Sequence, residues 1–133
     1  MPHSFDFDWK HRILRTRFSG RVTDEELKQY YRSLYQSFFR LQPIAGVACL
    51  SESTVFDVSA EAVRELANSA PALHDPTRHR IIVAPSSDLF RMAQTFQILA
   101  KTARPNLHVV RTEEEAWEIL EILNPEFALL EPE

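Results

Sequence analysis

Two short runs that are apolar almost throughout, residues 44–50 and 80–84, do most to restrict what this chain can fold into. A run of this length without polar alternation reads as a strand covered on both faces. Such strands belong to parallel sheets, whose crossover helices pack on either side. The stretches between and around the two runs are long enough, and amphipathic enough, to be those helices. An α/β chain with a largely parallel sheet follows.

The N-terminal segment departs from that pattern. Phe5, Phe7 and Trp9 alternate with Asp6 and Asp8, and Leu14, Thr16 and Phe18 alternate with Ile13, Arg15 and Arg17. A turn at Lys10-His11 sets Phe7 opposite Leu14 and Asp6 opposite Arg15. One face of this hairpin is then apolar, and the other carries opposite charges across the strands. That charged face is expected to look at water.

Helix starts are marked by capping residues. Thr23 with Glu26, and Thr112 with Glu115, have capping-box spacing, while Ser59 and Ser86 or Ser87 stand as N-caps before apolar-periodic segments. The second helix faces inward through Val63, Leu66, Ala67 and Ala70 and closes at Pro71. The third does so through Leu89, Ala93, Phe96, Leu99 and Ala100, and the last through Ala116, Leu120 and Leu123. Residues 107–110 form a fifth, short strand near an edge. The predicted fold is therefore a mixed five-stranded sheet: an N-terminal β-hairpin followed by a helix and three βα units. One domain spans 1–133, with 124–133 as a C-terminal tail that packs back through Phe127, Leu129 and Leu130.

Composition narrows function mainly by exclusion. With two glycines in 133 residues, neither a P-loop nor a dinucleotide fingerprint can be built. The single cysteine, Cys49, lies within an apolar strand and precludes an intrachain disulfide framework. His3, His11, His74, His79 and His108 have no metal-ligand spacing, so no metal and no cofactor are expected. A net charge of −4 argues against nucleic acid. No apolar run is long enough to span a bilayer, and no signal peptide is visible, so the expected location is the cytoplasm.

In a parallel sheet, a site is expected where the strands end and the helices begin. That places Ser51, Ser86, Ser87, Arg91 and Arg111 on one rim, where helix N-termini favour an anion. The same hydroxyls also serve as ordinary caps, and the two roles are not separated by sequence. The first helix carries an aromatic arc wider than a sheet-facing stripe requires. Tyr31, Tyr35 and Phe39 are its candidates for an interface with a second copy or a partner.

Three segments together resemble the SpoIIAA-like, STAS-related family of small bacterial domains. They are Gly20-Arg21-Val22-Thr23-Asp24-Glu25-Glu26-Leu27, Phe56-Asp57-Val58-Ser59-Ala60-Glu61-Ala62-Val63-Arg64-Glu65-Leu66, and Ile82-Val83-Ala84-Pro85 with Arg91-Met92. The resemblance runs over residues 14–122. It implies a non-catalytic regulatory or protein-interaction module of STAS-like fold with a protein partner, while the aromatic excess of the first helix favours a homodimer. In that family a kinase partner phosphorylates a serine at a helix start. Asp57-Val58-Ser59-Ala60 is similar to the motif Asp-Ser-Ser-Gly, so Ser59, with Asp57 beside it, is implied as the phosphorylation or anion site. Val58 and Ala60 depart from the motif, and Ser51 stands where an aspartate would end the strand. Related Sec14-like lipid carriers imply the alternative of a small amphipathic ligand, a lipid or acyl chain, with a polar mouth near Ser86, Ser87 and Arg91. An enzyme is the least favoured reading, because no motif supplies a nucleophile, metal or cofactor cradle.

Overall fold

The computed structural model describes residues 3–69 and 78–130. Strands β1 (His3–Asp8) and β2 (Ile13–Phe18) form the N-terminal hairpin, and Phe7 faces Leu14 while Asp6 faces Arg15. A short β3 (Arg21–Thr23) leads into α1 (Asp24–Leu41), and β4 (Ala45–Leu50) and a short β5 (Val55–Asp57) precede α2 (Ala60–Asn68). Then come β6 (Arg80–Val83), α3 (Ser87–Leu99), β7 (Leu107–Val110), α4 (Glu113–Leu120) and β8 (Ala128–Leu129). The main sheet has the order β7-β6-β4-β2-β1-β8. Its four strands β2, β4, β6 and β7 are parallel, and β1 runs antiparallel between β2 and β8.

The five expected strands are all present, and the hairpin with three βα units is as the sequence implies. Two additions change the count. The tail supplies β8 as a sixth strand, pairing Asp6 with Leu129 and Phe7 with Ala128. Separately, β3 and β5 form a two-stranded parallel ladder. Three-residue strands with one buried residue between them carry too little pattern to be seen in sequence. The expected end of α2 at Ala70 and Pro71, and His74, lie outside the described residues.

Caps act where the sequence puts them. The Thr23 hydroxyl accepts the Glu26 N–H and donates to the Glu26 carboxylate, and Thr112 and Glu115 repeat this at α4. Ser59 caps α2 and Ser86, not Ser87, caps α3. At its other end α1 closes with Gln42 in the left-handed region (φ 51°), after which buried Pro43 stops the helix.

Period-two alternation sends the two sides of the central strands to different partners. Leu14, Gly46, Arg80 and Leu107 lie in one row across the sheet, with Thr16, Ala48, Ile82 and Val109 in the next. This face is covered by α1, α2 and α3. The opposite face, with Ile13, Val47, Cys49, Ile81 and Val83, is covered by α4 and Phe127. Gly46 is required by a close approach: a Cβ there would lie 2.9 Å from Phe38 Cζ of α1.

The charged face of the hairpin does not look at water. Asp6 and Arg15 are each only 8% exposed. Arg15 donates from Nε and one terminal nitrogen to the Asp6 carboxylate at 2.8 and 2.6 Å, and from the other to Glu113 at 2.7 Å. Its guanidinium lies 3.9 Å from the centroid of Phe127. The C-terminal tail and the first turn of α4 thus cover a face that the hairpin alone would leave exposed. Expected inward-facing residues are corrected as well: Leu129, on the edge strand β8, is 71% exposed and does not pack back with Phe127 and Leu130. Leu123 is 84% exposed because α4 has already ended at Glu121 in the left-handed region, and Leu99 is 44% exposed near the end of α3.

Candidate functional site

The β3–β5 ladder sets Thr23 beside Asp57, and each strand then runs directly into a helix. The N-termini of α1 and α2 are therefore neighbours. Asp24, the first residue of α1, accepts the Ser59 N–H at 2.7 Å and the Ser59 hydroxyl at 2.8 Å. Ser59 Oγ in turn accepts the Ala62 N–H at 3.1 Å. The two bonds from Ser59 hold the Asp24 carboxyl below its usual range. Alongside, Arg21 Nε donates to Asp57 at 2.9 Å, closing the ladder with an exposed ion pair. Ser59 and Asp57 are both exposed. Asp24 and Arg21 carry no separate signal in the sequence: each is an ordinary charge near a helix start until the ladder brings position 59 to it.

A second feature lies between α1, α2, α3 and the sheet: a cavity of about 200 Å³, walled mostly by apolar side chains such as Leu27, Leu34, Val63, Leu66 and Phe96. Small residues at the centre of the sheet, Gly46 and Ala48, leave the room for it. Its polar lining consists of Thr16, Tyr30, Tyr31, Arg80 and Arg104. Burial pushes the Tyr30 phenol up to about 12, and the phenol hydrogen-bonds Thr16. Arg104, 6% exposed, donates to the Ala67 and Ser69 carbonyls at the end of α2, at 3.3 Å each, and to the Tyr31 hydroxyl. The rings of Tyr31 and Phe96 lie 5.7 Å from its guanidinium.

No protein-family model and no curated protein matches this chain. Solved structures do. The unphosphorylated form of the anti-sigma factor antagonist SpoIIAA is 16% identical and superposes with a TM-score of 0.59, covering 90% of this chain and 100% of that one. The phosphorylated form of the Bacillus cell fate determinant SpoIIAA is 18% identical, with a TM-score of 0.55, over 88% of this chain and 99% of that one. This is the SpoIIAA-like fold. At such identity the likeness is one of architecture, and the chemistry of this chain rests on its own residues.

Within the SpoIIAA-like frame, the remaining rim residues are engaged locally. Ser51 Oγ bonds Ser53 and Thr54, at 2.9 and 3.2 Å, and Ser86 accepts the Leu89 N–H at 3.2 Å. Ser87 and Arg91 are exposed on α3, and the Arg111 guanidinium stacks 4.2 Å from the Phe90 ring centroid. None of Ser86, Ser87 and Arg91 lines the cavity, so its polar mouth is not where the sequence put it. The charged groups of its lining lie instead at the start of β6, Arg80, and in the turn before β7, Arg104.

The aromatic arc of α1 is likewise divided. Phe39 is 84% exposed, whereas Tyr31 and Tyr35 are half-buried and pack edge to face at 5.1 Å. The three do not form one exposed stripe, because Tyr31 turns toward Arg104.

Burial pushes the Cys49 thiol up to about 12, with Glu113 adding to the effect, so the thiolate is negligible at neutral pH. His79 and His108 sit with Nδ1 and Nε2 3.1 Å apart, a meeting no sequence spacing signals. Burial and then the charge of His79 lower the His108 pKa. Among the described residues, no group of three or more His, Cys, Asp or Glu side chains is placed to hold a metal ion.

Proposed function

We propose that this chain is a non-catalytic regulatory module that engages a protein partner through the surface where α1 and α2 begin, and that Ser59 is its switch. The observation that carries this reading is the exposed Ser59 hydroxyl, held by Asp24 at the N-cap of α2. SpoIIAA, a protein of the same fold, occurs in phosphorylated and unphosphorylated forms and acts as an anti-sigma factor antagonist. The same chemistry applied to Ser59 has a defined structural consequence here.

Phosphorylation removes the hydroxyl proton that Ser59 donates to Asp24 and adds close to two negative charges against that carboxylate. Asp57 and Glu61 stand nearby on the same segment, and Arg21 is already engaged with Asp57. The phosphate is favoured by the free N–H groups and dipole of the α2 N-terminus. Asp24 is not, so it is expelled, and the first turn of α1 loses its tie to α2. A partner fitted to the clamped surface is thereby released. On this reading the module spans 1–133 as one domain and works in the cytoplasm; among the described residues, no helix is long and apolar enough to cross a membrane.

Quantitative affinity capture from cells of the source organism tests this, with wild-type, Ser59→Ala and Ser59→Asp baits compared in one experiment. A protein retained by wild type and lost by Ser59→Asp, together with a singly phosphorylated wild-type population that Ser59→Ala lacks, is the expected result. An identical retained set for all three baits contradicts it.

A further inference from the structure

The cavity under α1, α2 and α3 is lined by two buried arginines, Arg80 and Arg104, and by no carboxylate among the described residues. Arg104 is nine-tenths buried and lines the cavity, yet its partners among the described residues are two carbonyls, a phenol and two aromatic rings, with no carboxylate. A guanidinium carries N–H donors in a planar fork suited to two parallel bonds with a carboxylate. Its three hydrogen bonds, two of them long at 3.3 Å, do not use that fork. A buried charge without a counter-ion is costly, and a ligand that supplies one recovers the difference. The contrast with Arg15 on the other face of the sheet is direct: that arginine is equally buried and is met by both Asp6 and Glu113.

We infer that the cavity is a binding site for a medium-chain monocarboxylate, with the carboxylate on Arg104 and the Tyr31 hydroxyl and the alkyl chain against the apolar wall. The volume sets the length. An apolar cavity of roughly 150 Å³ takes benzene, so one of about 200 Å³ takes a chain of about eight carbons. The chain lies along Leu34, Val63, Leu66, Ile82 and Phe96, which offer it no polar partner. This site is separate from Ser59 and does not depend on how that residue is read.

Isothermal titration of the full-length protein with octanoate, and in parallel with 1-octanol, tests the inference. Octanoate is expected to bind one per chain and at least tenfold more tightly than the alcohol. Arg104→Met is expected to erase that preference, bringing octanoate to the level of octanol. Because Arg104 also ties the end of α2, a second variant leaves it intact: Ala48→Leu fills the floor of the cavity and is expected to abolish binding of both ligands, with its fold confirmed by circular dichroism. Absence of octanoate binding, equal affinity for octanoate and octanol, or unchanged octanoate affinity in folded Arg104→Met or Ala48→Leu overturns the inference.

Discussion

At the scale of single residues, the same ion pair has different worth in two places. Asp6 meets Arg15 beneath α4 and the tail, whereas Asp57 meets Arg21 in the open, with side chains more than half exposed. Removing Asp6 takes away two of the three bonds to the buried Arg15 guanidinium and leaves it Glu113 alone, at a cost of about 3 kcal/mol. Removing a member of an exposed pair changes stability by about 0–1 kcal/mol. Asp6→Ala is therefore expected to lower the unfolding free energy in urea far more than Asp57→Ala, and similar losses for the two contradict the burial of Arg15.

Asp8 makes a prediction in pH. Burial of this carboxyl raises its pKa, but bonds from the His11 N–H and ring and from the Glu126 N–H outweigh that and leave it below the ordinary value. The folded state therefore holds its proton less readily than the unfolded chain, whose carboxyl titrates near ~3.9. Its contribution is complete above that pH and is lost as pH falls through the folded-state value. Asp8→Asn is expected to lower stability at pH 7 and to flatten the acid limb of a stability-against-pH curve below about pH 4. An acid limb as steep as that of wild type would show that Asp8 does not bear it.

At the scale of elements, the C-terminal tail does more than end the chain. It adds β8 to the edge left by β1, bonds the Leu130 N–H to the Phe5 carbonyl, and lays Phe127 over both Arg15 and Trp117. Phe127→Ala is expected to cost about 2 kcal/mol, from lost apolar contact and lost cation–π attraction. Its effect should be smaller in a background where Arg15 is already Met, because part of that loss belongs to the pair. Additive effects of the two changes, read in a double-mutant cycle, would place the ring elsewhere.

What was legible in the sequence follows the range of the interaction that fixes it. Capping at Thr23, Ser59, Ser86 and Thr112 involves residues three apart, and the buried strands are marked by unbroken apolar runs, so both are readable directly. Hairpin register is readable because charge and apolar patterns agree on it. Contacts between distant residues are not. Arg15 reaches Glu113 across 98 positions and Arg104 reaches Tyr31 across 73, and nothing local to either arginine predicts its partner. For the same reason, sequence named Ser59 but not Asp24, 35 residues earlier, which holds it.

At the scale of the whole molecule, the two faces of one sheet are closed by opposite means. On the α4 side, aliphatic packing surrounds an ion network whose charges are matched. On the side of α1, α2 and α3, small residues leave a space lined by the buried guanidinium groups of Arg80 and Arg104. The exposed α1–α2 junction at Ser59 lies beyond both and is tied by a few hydrogen bonds, which is where a reversible change costs the fold least. The central claim is that this junction is a clamp opened by phosphorylation. Backbone amide NMR of protein carrying phosphoserine at position 59, against unmodified protein, tests it most directly. The account predicts shift changes that spread from residues 57–63 across to 21–26 as Asp24 lets go, with the rest of the sheet unmoved. Changes confined to residue 59 and its sequence neighbours, with the Asp24 segment unaltered, would contradict it.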